Sequence, residues 1–299
     1  MRFAVTGGAG FVGSYLVRLL VNEGHQVTVI DNLHKGKLEN ISDVLEKIEF
    51  FDTDICDYKI LEKNLRGVEG VFHEAALTVV QDSFKNPKEY QKVNVEGTEN
   101  IFKIAEKYKF KVVYASSSSV YGHQEKVPII EHFRKKPINP YGQTKLDDEI
   151  LAEKYSKLGV SIIGLRYFNI FGKGQTLEYA GVITKFLDRI IEEKAPIIFG
   201  SGTQIRDFIH VEDVAKANLH AMKSNVPFTH ANIGTGNAIS ILELAKIMID
   251  ISGLELKPIM EKPLEGDIEK SQSNNSLARR LFNWKPERKL EDWLKETIK

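Results

Sequence analysis

Gly7, Gly10 and Gly13 recur at every third position, directly after a short apolar run and just before a helical pattern. Glycines at that spacing permit a tight turn, backbone approach to a pyrophosphate and close packing of helix on strand. The helix that follows turns its free N–H groups toward the phosphate. Asp31 closes the next β-type run. A carboxylate there accepts both adenosine ribose hydroxyls and repels a 2′-phosphate, so the pair of features points to NAD rather than NADP. Tyr141 and Lys145 form a second cluster, and of the ten tyrosines only Tyr141 has lysine four residues on. Positions i and i+4 share a helix face. A neighbouring ammonium and a nicotinamide cation would both lower the phenol pKa from about 10, which makes Tyr141 a general base for a hydroxyl proton. The run Ser116–Ser119 ends a further β-type stretch. Hydroxyls at the carboxyl end of a central strand face the ligand crevice, and at least one of these serines is expected to serve only a local turn.

These residues need a scaffold, and the hydrophobic pattern supplies one. Segments 3–6, 26–31, 48–52, 70–73 and 111–116 are short, apolar or β-branched, and bounded by turn residues, which predicts buried parallel strands. Helical patterns over 11–23 and 87–108 lie between them. That alternation predicts an α/β fold of Rossmann type, a doubly wound parallel sheet with right-handed crossovers. After Asn169 the order loosens: helices are expected at 182–193, 211–222, 241–251 and 290–298, and a short strand at 197–199. The reading is a nucleotide-binding domain over 1–168 and a smaller mixed α/β substrate domain over 169–299, with a segment near 230–240 returning to the first sheet.

The composition removes other classes. Lys+Arg and Asp+Glu both number 41 in 299 residues, so no charge excess calls for nucleic acid or an anionic membrane. No apolar stretch approaches a membrane span, and no signal peptide is apparent at the start. The lone Cys56 forms no internal disulfide, which points to a reducing, cytoplasmic setting. The eight histidines show no metal-ligand spacing, so no metal site is expected.

Taken together, the chain resembles the extended short-chain dehydrogenase/reductase family, in its NAD-dependent epimerase/dehydratase branch, and is most similar to the UDP-glucose 4-epimerase type. The resemblance rests on Thr6–Gly13, Asp31–Leu33, Asp54-Ile55, His73–Ala76, Asn94–Thr98, the serine run, Tyr141 with Lys145, Arg166–Asn169, Arg206–Val211 and Gly266-Asp267. It implies tightly held NAD, a UDP-sugar substrate and a homodimer through helices around 88–107 and 147–157. Phe11 and Val12 would cover the pyrophosphate, and Asn32 beside Asp31 belongs to the cofactor side. Asp54 and Ile55 would hold the adenine, Ala75 and Ala76 would line the crevice, and Asn94 would brace it. Ser117 matches the catalytic Ser/Thr, Tyr141 the base, and Lys145 its activator and ribose ligand. Phe168 would lie at the nicotinamide. On the substrate side the resemblance implies Ser117, Ser118, Asn169, Phe199 near the uracil, and Arg206 on the diphosphate. Arg166 reads instead as a structural ion pair.

The reaction implied is inversion at the sugar C4 through a 4-keto intermediate. The 4,6-dehydratases of the family carry an Asp-Glu pair after the catalytic Ser/Thr, where this chain has Ser118 and Ser119, and hydroxyls do not replace carboxylates as acid and base. A UDP-glucuronate 4-epimerase remains an alternative, although Asn169 suits the UDP-glucose type better. A non-catalytic NAD-binding regulator is a more distant one, since such relatives often lose the tyrosine or lysine. Two departures stand out. Leu264 replaces the arginine usual two residues before Gly266-Asp267, which could shift the diphosphate to a neighbour such as Lys262. Ser271 stands where some epimerases have a bulky tyrosine, which predicts tolerance of N-acetylhexosamines.

Overall fold

The computed structural model describes residues 1–175, 181–264 and 266–298. Its main sheet contains β1 (Arg2–Thr6), β2 (Gln26–Asp31), β3 (Ile48–Asp52), β4 (Gly70–His73), β5 (Lys111–Ser117) and β6 (Ile162–Tyr167). The remaining strands are β7 (Asn169–Phe171), β8 (Ile197–Phe199), β9 (Ile205–His210), β10 (Phe228–Ile233), β11 (Ala238–Ser240), β12 (Ile259–Glu261) and β13 (Lys270–Ser271). β10 joins the main sheet, giving seven strands in the order β10-β6-β5-β4-β1-β2-β3, all in parallel register. The order reverses between β1 and β4. In open α/β sheets that switch point is where a crevice opens above the carboxyl ends of the strands.

Helices cover both faces. They are α1 (Phe11–Asn22), α2 (Tyr58–Asn64), α3 (Val80–Lys85), α4 (Pro87–Tyr90), α5 (Gly97–Tyr108), α6 (Pro140–Lys157), α7 (Val182–Ile191), α8 (Val211–Lys223), α9 (Ile241–Ser252), α10 (Ser276–Phe282) and α11 (Leu290–Ile298). Strand side chains alternate between faces. Phe3 and Val5 enter a core with α1, α8 and α10, whereas Ala4 enters one with α2, α5 and α6. A third core joins α7, α9 and α11 to Phe171 and Ile198. The helix expected over 87–108 forms, but Gln91–Glu96 is a π-helical turn inside it. The chain crosses between the layers more than once. α8 packs on α1 and β10 closes the edge of the first sheet, so a single cut at 168 does not separate the two cores.

Two polar clusters fix the geometry that matters for the crevice. Glu149 on α6 takes two bonds from Arg166 on β6, at 2.7 and 2.8 Å, and one from the Ser116 hydroxyl on β5 at 2.8 Å. The pair is buried, and Arg166 is thereby the structural ion pair read from the sequence. Second, Asp207 on β9 is fully buried. Its carboxylate accepts from the backbone and hydroxyl of Thr235, the Gly236 N–H, and the backbone and hydroxyl of Ser273. That clamps two loops beside Arg206.

Burial alone would raise the Glu149 pKa. The Arg166 bonds outweigh it and bring the group from 4.5 to about 2. A depressed carboxylate stabilises the fold fully above its unfolded value and loses that contribution as pH falls through about 2. Glu149→Gln is expected to cost about 3–5 kcal/mol near neutrality, because it leaves a buried guanidinium unpaired. It should also weaken the fall in thermal midpoint seen by calorimetry between about pH 5 and about pH 2. An unchanged midpoint and an unchanged acid slope would refute this.

Candidate active site

The turn after β1 packs against the start of α1 because Gly7 in the turn and Gly13 in the helix have no Cβ. Gly7 has φ +68°, and a Cβ on it would stand 2.7 Å from the Ala75 nitrogen. A Cβ on Gly13 would stand 2.1 Å from the Gly7 carbonyl oxygen. The turn, the first turn of α1 and the chain leaving β4 are therefore in backbone contact. Asp31 accepts from the Ala9 and Leu33 N–H groups at 3.0 and 2.9 Å, and burial raises its pKa against those two bonds. The Asp31 carboxylate lies 2.8 Å from where a Cβ on Gly36 would be, so the glycine keeps this end open.

These features open onto one cavity of about 980 Å³. Its cofactor arm is lined by Gly7, Gly10, Phe11, Val12 and Gly13, then by Asp31, Asn32, Asp54, Ile55, Ala75 and Ala76. Asn32 donates to Asp54 at 3.3 Å, and Asp54 also caps the Cys56 N–H. Burial beside Asp54 pushes the Cys56 thiol up to about 12, which leaves it inert at neutral pH. Glycines without Cβ, a carboxylate at the end of β2 and a long cavity over the switch point are what a bound NAD would require, so the residues present fit it.

The second arm begins at α6. Asn139 caps the helix by accepting the Gly142 N–H at 2.7 Å, Pro140 occupies its first turn, and the Ser83 hydroxyl accepts the Tyr141 N–H at 3.1 Å. Tyr141, Lys145 and Ser117 of β5 all line the cavity. Lys145 is buried and pairs with Asp148 at 3.2 Å. Burial works against its charge, and Asp148 and Tyr141 more than restore it, so its pKa lies above the ordinary lysine value. Farther along, Phe168, Asn169, Phe199 and Arg206 line the same space. Arg206 bonds Asp267; burial lowers its pKa and Asp267 opposes that.

Three residues assigned from the sequence do not line the cavity. Asn94 spends its amide on the Leu77 backbone, at 2.8 and 3.0 Å, and on the Thr144 hydroxyl; it ties the loop after β4 to α6 from behind. Ser118 belongs to a short 3-10 turn that Ser117 caps through the Ser119 N–H. Ser271 is buried on β13 in register with Arg206. Lys262 does not line the cavity either, whereas Lys185 on α7 and the exposed Leu264 do.

The sequence reading also passed over Glu74. It lines the cavity, accepts the Tyr167 hydroxyl at 2.8 Å, and is pushed up to about 8 by burial. It lay within the His73–Ala76 motif with no spacing to mark it. The Asn139-Pro140 start of α6 carried a legible signal, a capping side chain followed by proline.

A dinucleotide cradle and a tyrosine–lysine pair sharing one cavity define an NAD-dependent enzyme of the extended short-chain dehydrogenase/reductase class. Comparison with known proteins narrows this. Residues 3–234 match the model of the NAD dependent epimerase/dehydratase family. A Methanocaldococcus jannaschii protein named "Putative UDP-glucose 4-epimerase" is 40% identical over 299 residues, spanning 98% of this chain and 96% of that one. The Thermotoga maritima UDP-glucose 4-epimerase, solved with UDP-glucose, superposes with a TM-score of 0.95 at 35% identity, over 100% of this chain and 97% of that one. A UDP-N-acetylglucosamine 4-epimerase from Methanobrevibacter ruminantium, in complex with UDP-N-acetylmuramic acid, gives 0.93 at 34% identity, over 99% and 96%. The chain belongs to the NAD-dependent epimerase/dehydratase family, among the UDP-sugar 4-epimerases, which are isomerases. Among the described residues no helix is long and apolar enough to cross a membrane.

Gly13→Ala would drive a methyl group into the Gly7 carbonyl. Purified Gly13→Ala protein is expected to carry little or no NAD when denatured and its released nucleotide is measured by chromatography. Cofactor content equal to the unmutated protein would contradict the cradle described above.

Proposed function

We propose that the protein interconverts UDP-glucose and UDP-galactose by inverting the sugar C4 through a 4-keto intermediate. The observation that carries this reading is the convergence of Ser117, Tyr141 and Lys145 on one cavity with the glycine turn and Asp31, while positions 118 and 119 hold no carboxylate.

Tyr141 takes the proton of the 4-hydroxyl, and Ser117 orients that hydroxyl by hydrogen bonding. The charged Lys145 steadies the phenolate that forms. NAD supplies reversible oxidation at C4 when bound. Arg206 holds the diphosphate, with Lys185 as the second cation of that arm, and a guanidinium suits bidentate contact with phosphate oxygens. Phe199 packs on the uracil, Asn169 contacts the diphosphate, and Phe168 keeps water from the reacting carbon. The reaction consumes no reductant, so the protein is expected to retain its cofactor through purification. A second reading extends the substrate to UDP-N-acetylhexosamines. It is favoured by the likeness to the Methanobrevibacter ruminantium structure.

Purified protein given UDP-galactose without added NAD is expected to form UDP-glucose until both are present, as read by chromatography. Tyr141→Phe should lower kcat by about 10²–10⁴. Turnover of UDP-glucuronate alone, or of no UDP-sugar by NAD-loaded protein, would overturn the proposal. UDP-N-acetylgalactosamine in the same panel decides the second reading.

The proposal includes a homodimer through the outer faces of α5 and α6. Ile150, 59% exposed on α6, is an apolar side chain such a contact would cover. Sedimentation velocity is expected to give twice the 33.9 kDa chain mass, and a monomer at micromolar concentration would remove this part.

A further inference from the structure

Lys145 is buried to 3% exposure. An ammonium moved out of water sheds its proton readily, and buried lysines fall by up to about 3–5 pH units when nothing opposes this. The groups around it are identifiable. His73 at the end of β4 is pushed to about 3 by burial, with Lys145 adding to the effect, so its ring is neutral. Glu74 follows it, and burial lifts that carboxyl to about 8. Tyr114 on β5 is held well above the usual phenol value by burial and the nearby acids. On α6, Asp147 accepts the Gln143 amide at the exposed surface. Asp148, fully buried, touches the Lys145 amine at 3.2 Å, and Thr98 faces it from α5.

Asp148 is costly where it is. Burial lifts it to about 7 despite Lys145, and its Oδ1 has no hydrogen-bond partner. A buried carboxylate with an oxygen unmet is weak as a stabilising device, since apolar replacements of buried charged groups are often neutral or favourable. Its position is explained by what it does to the amine beside it.

We propose that Asp148 is a positioning residue for the Tyr141–Lys145 pair: its carboxylate keeps the buried Lys145 amine protonated and fixes where Nζ stands. This rests on the roles given above to Tyr141 and Lys145. Lys145 then stays charged while Tyr141 exchanges a proton with the substrate hydroxyl.

The test is a pH titration of Lys145 by ¹³C NMR in NAD-loaded protein labelled at lysine, the signal being assigned with Lys145→Arg. In the unmutated protein Lys145 is expected to stay protonated beyond about pH 10. In Asp148→Asn its titration should move down by about one pH unit or more, and Asp148→Glu should restore it. The alkaline limb of the kcat profile should move with it in Asp148→Asn, and KM should change little. Lys145 titrating below about pH 9 in the unmutated protein overturns the proposal without any variant having to fold. So does an Asp148→Asn protein whose Lys145 titrates as before. Absence of epimerase activity alongside the expected titration would refute the proposed reaction and leave the charge relation standing.

Discussion

A bidentate ion pair beneath one helix sets where the chemistry stands. Glu149 joins α6 to β6 through Arg166 and to β5 through Ser116. Removing either partner would leave a buried charge, so the helix has one depth and one rotation against the sheet. Lys145 and Tyr141 stand one and two turns earlier on the same helix, and Asn139, Ser83 and Asn94 hold its first turn and the loop facing it. Ser117, at the end of β5, lines the same cavity as Tyr141 and Lys145.

The same logic governs the two arms. On the cofactor side the absent side chains of Gly7 and Gly13 bring three backbone segments together. On the substrate side the fully buried Asp207 ties the loops of Thr235 and Ser273 to β9, the strand that carries Arg206. Leu264 and Lys185 of α7 both line the cavity that Arg206 and Asp267 reach. A diphosphate needs cations at one place rather than a basic chain, which is how a protein with balanced totals of 41 and 41 suits such a ligand.

Much of this was legible in the sequence where a local rule forces the answer. The glycine spacing, the acid ending β2 and the five early strands follow from turn sterics and hydrophobic period, and each appears within a residue or two. The tyrosine–lysine pair was legible because i and i+4 share a face. Illegible were the contacts made by folding. Asn94 and Ser271 carry family motifs, yet one is turned to a loop backbone and the other buried on β13. Glu74, Asp148 and Lys185 obey no spacing rule and acquire meaning only from what the fold packs against them. The π-helical turn at Gln91–Glu96 likewise depends on tertiary packing that hydrophobic period does not encode, whereas the return of β10 to the first sheet falls where the sequence led one to expect it, near 230–240.

The proposed epimerisation oxidises C4 and returns the same hydrogen to it within one site. UDP-galactose deuterated at C4, turned over by the protein in ordinary water, tests this most directly. UDP-glucose is expected to retain the deuterium at C4, read by NMR and mass spectrometry. Loss of the label to solvent, or its appearance in free NADH, would contradict it.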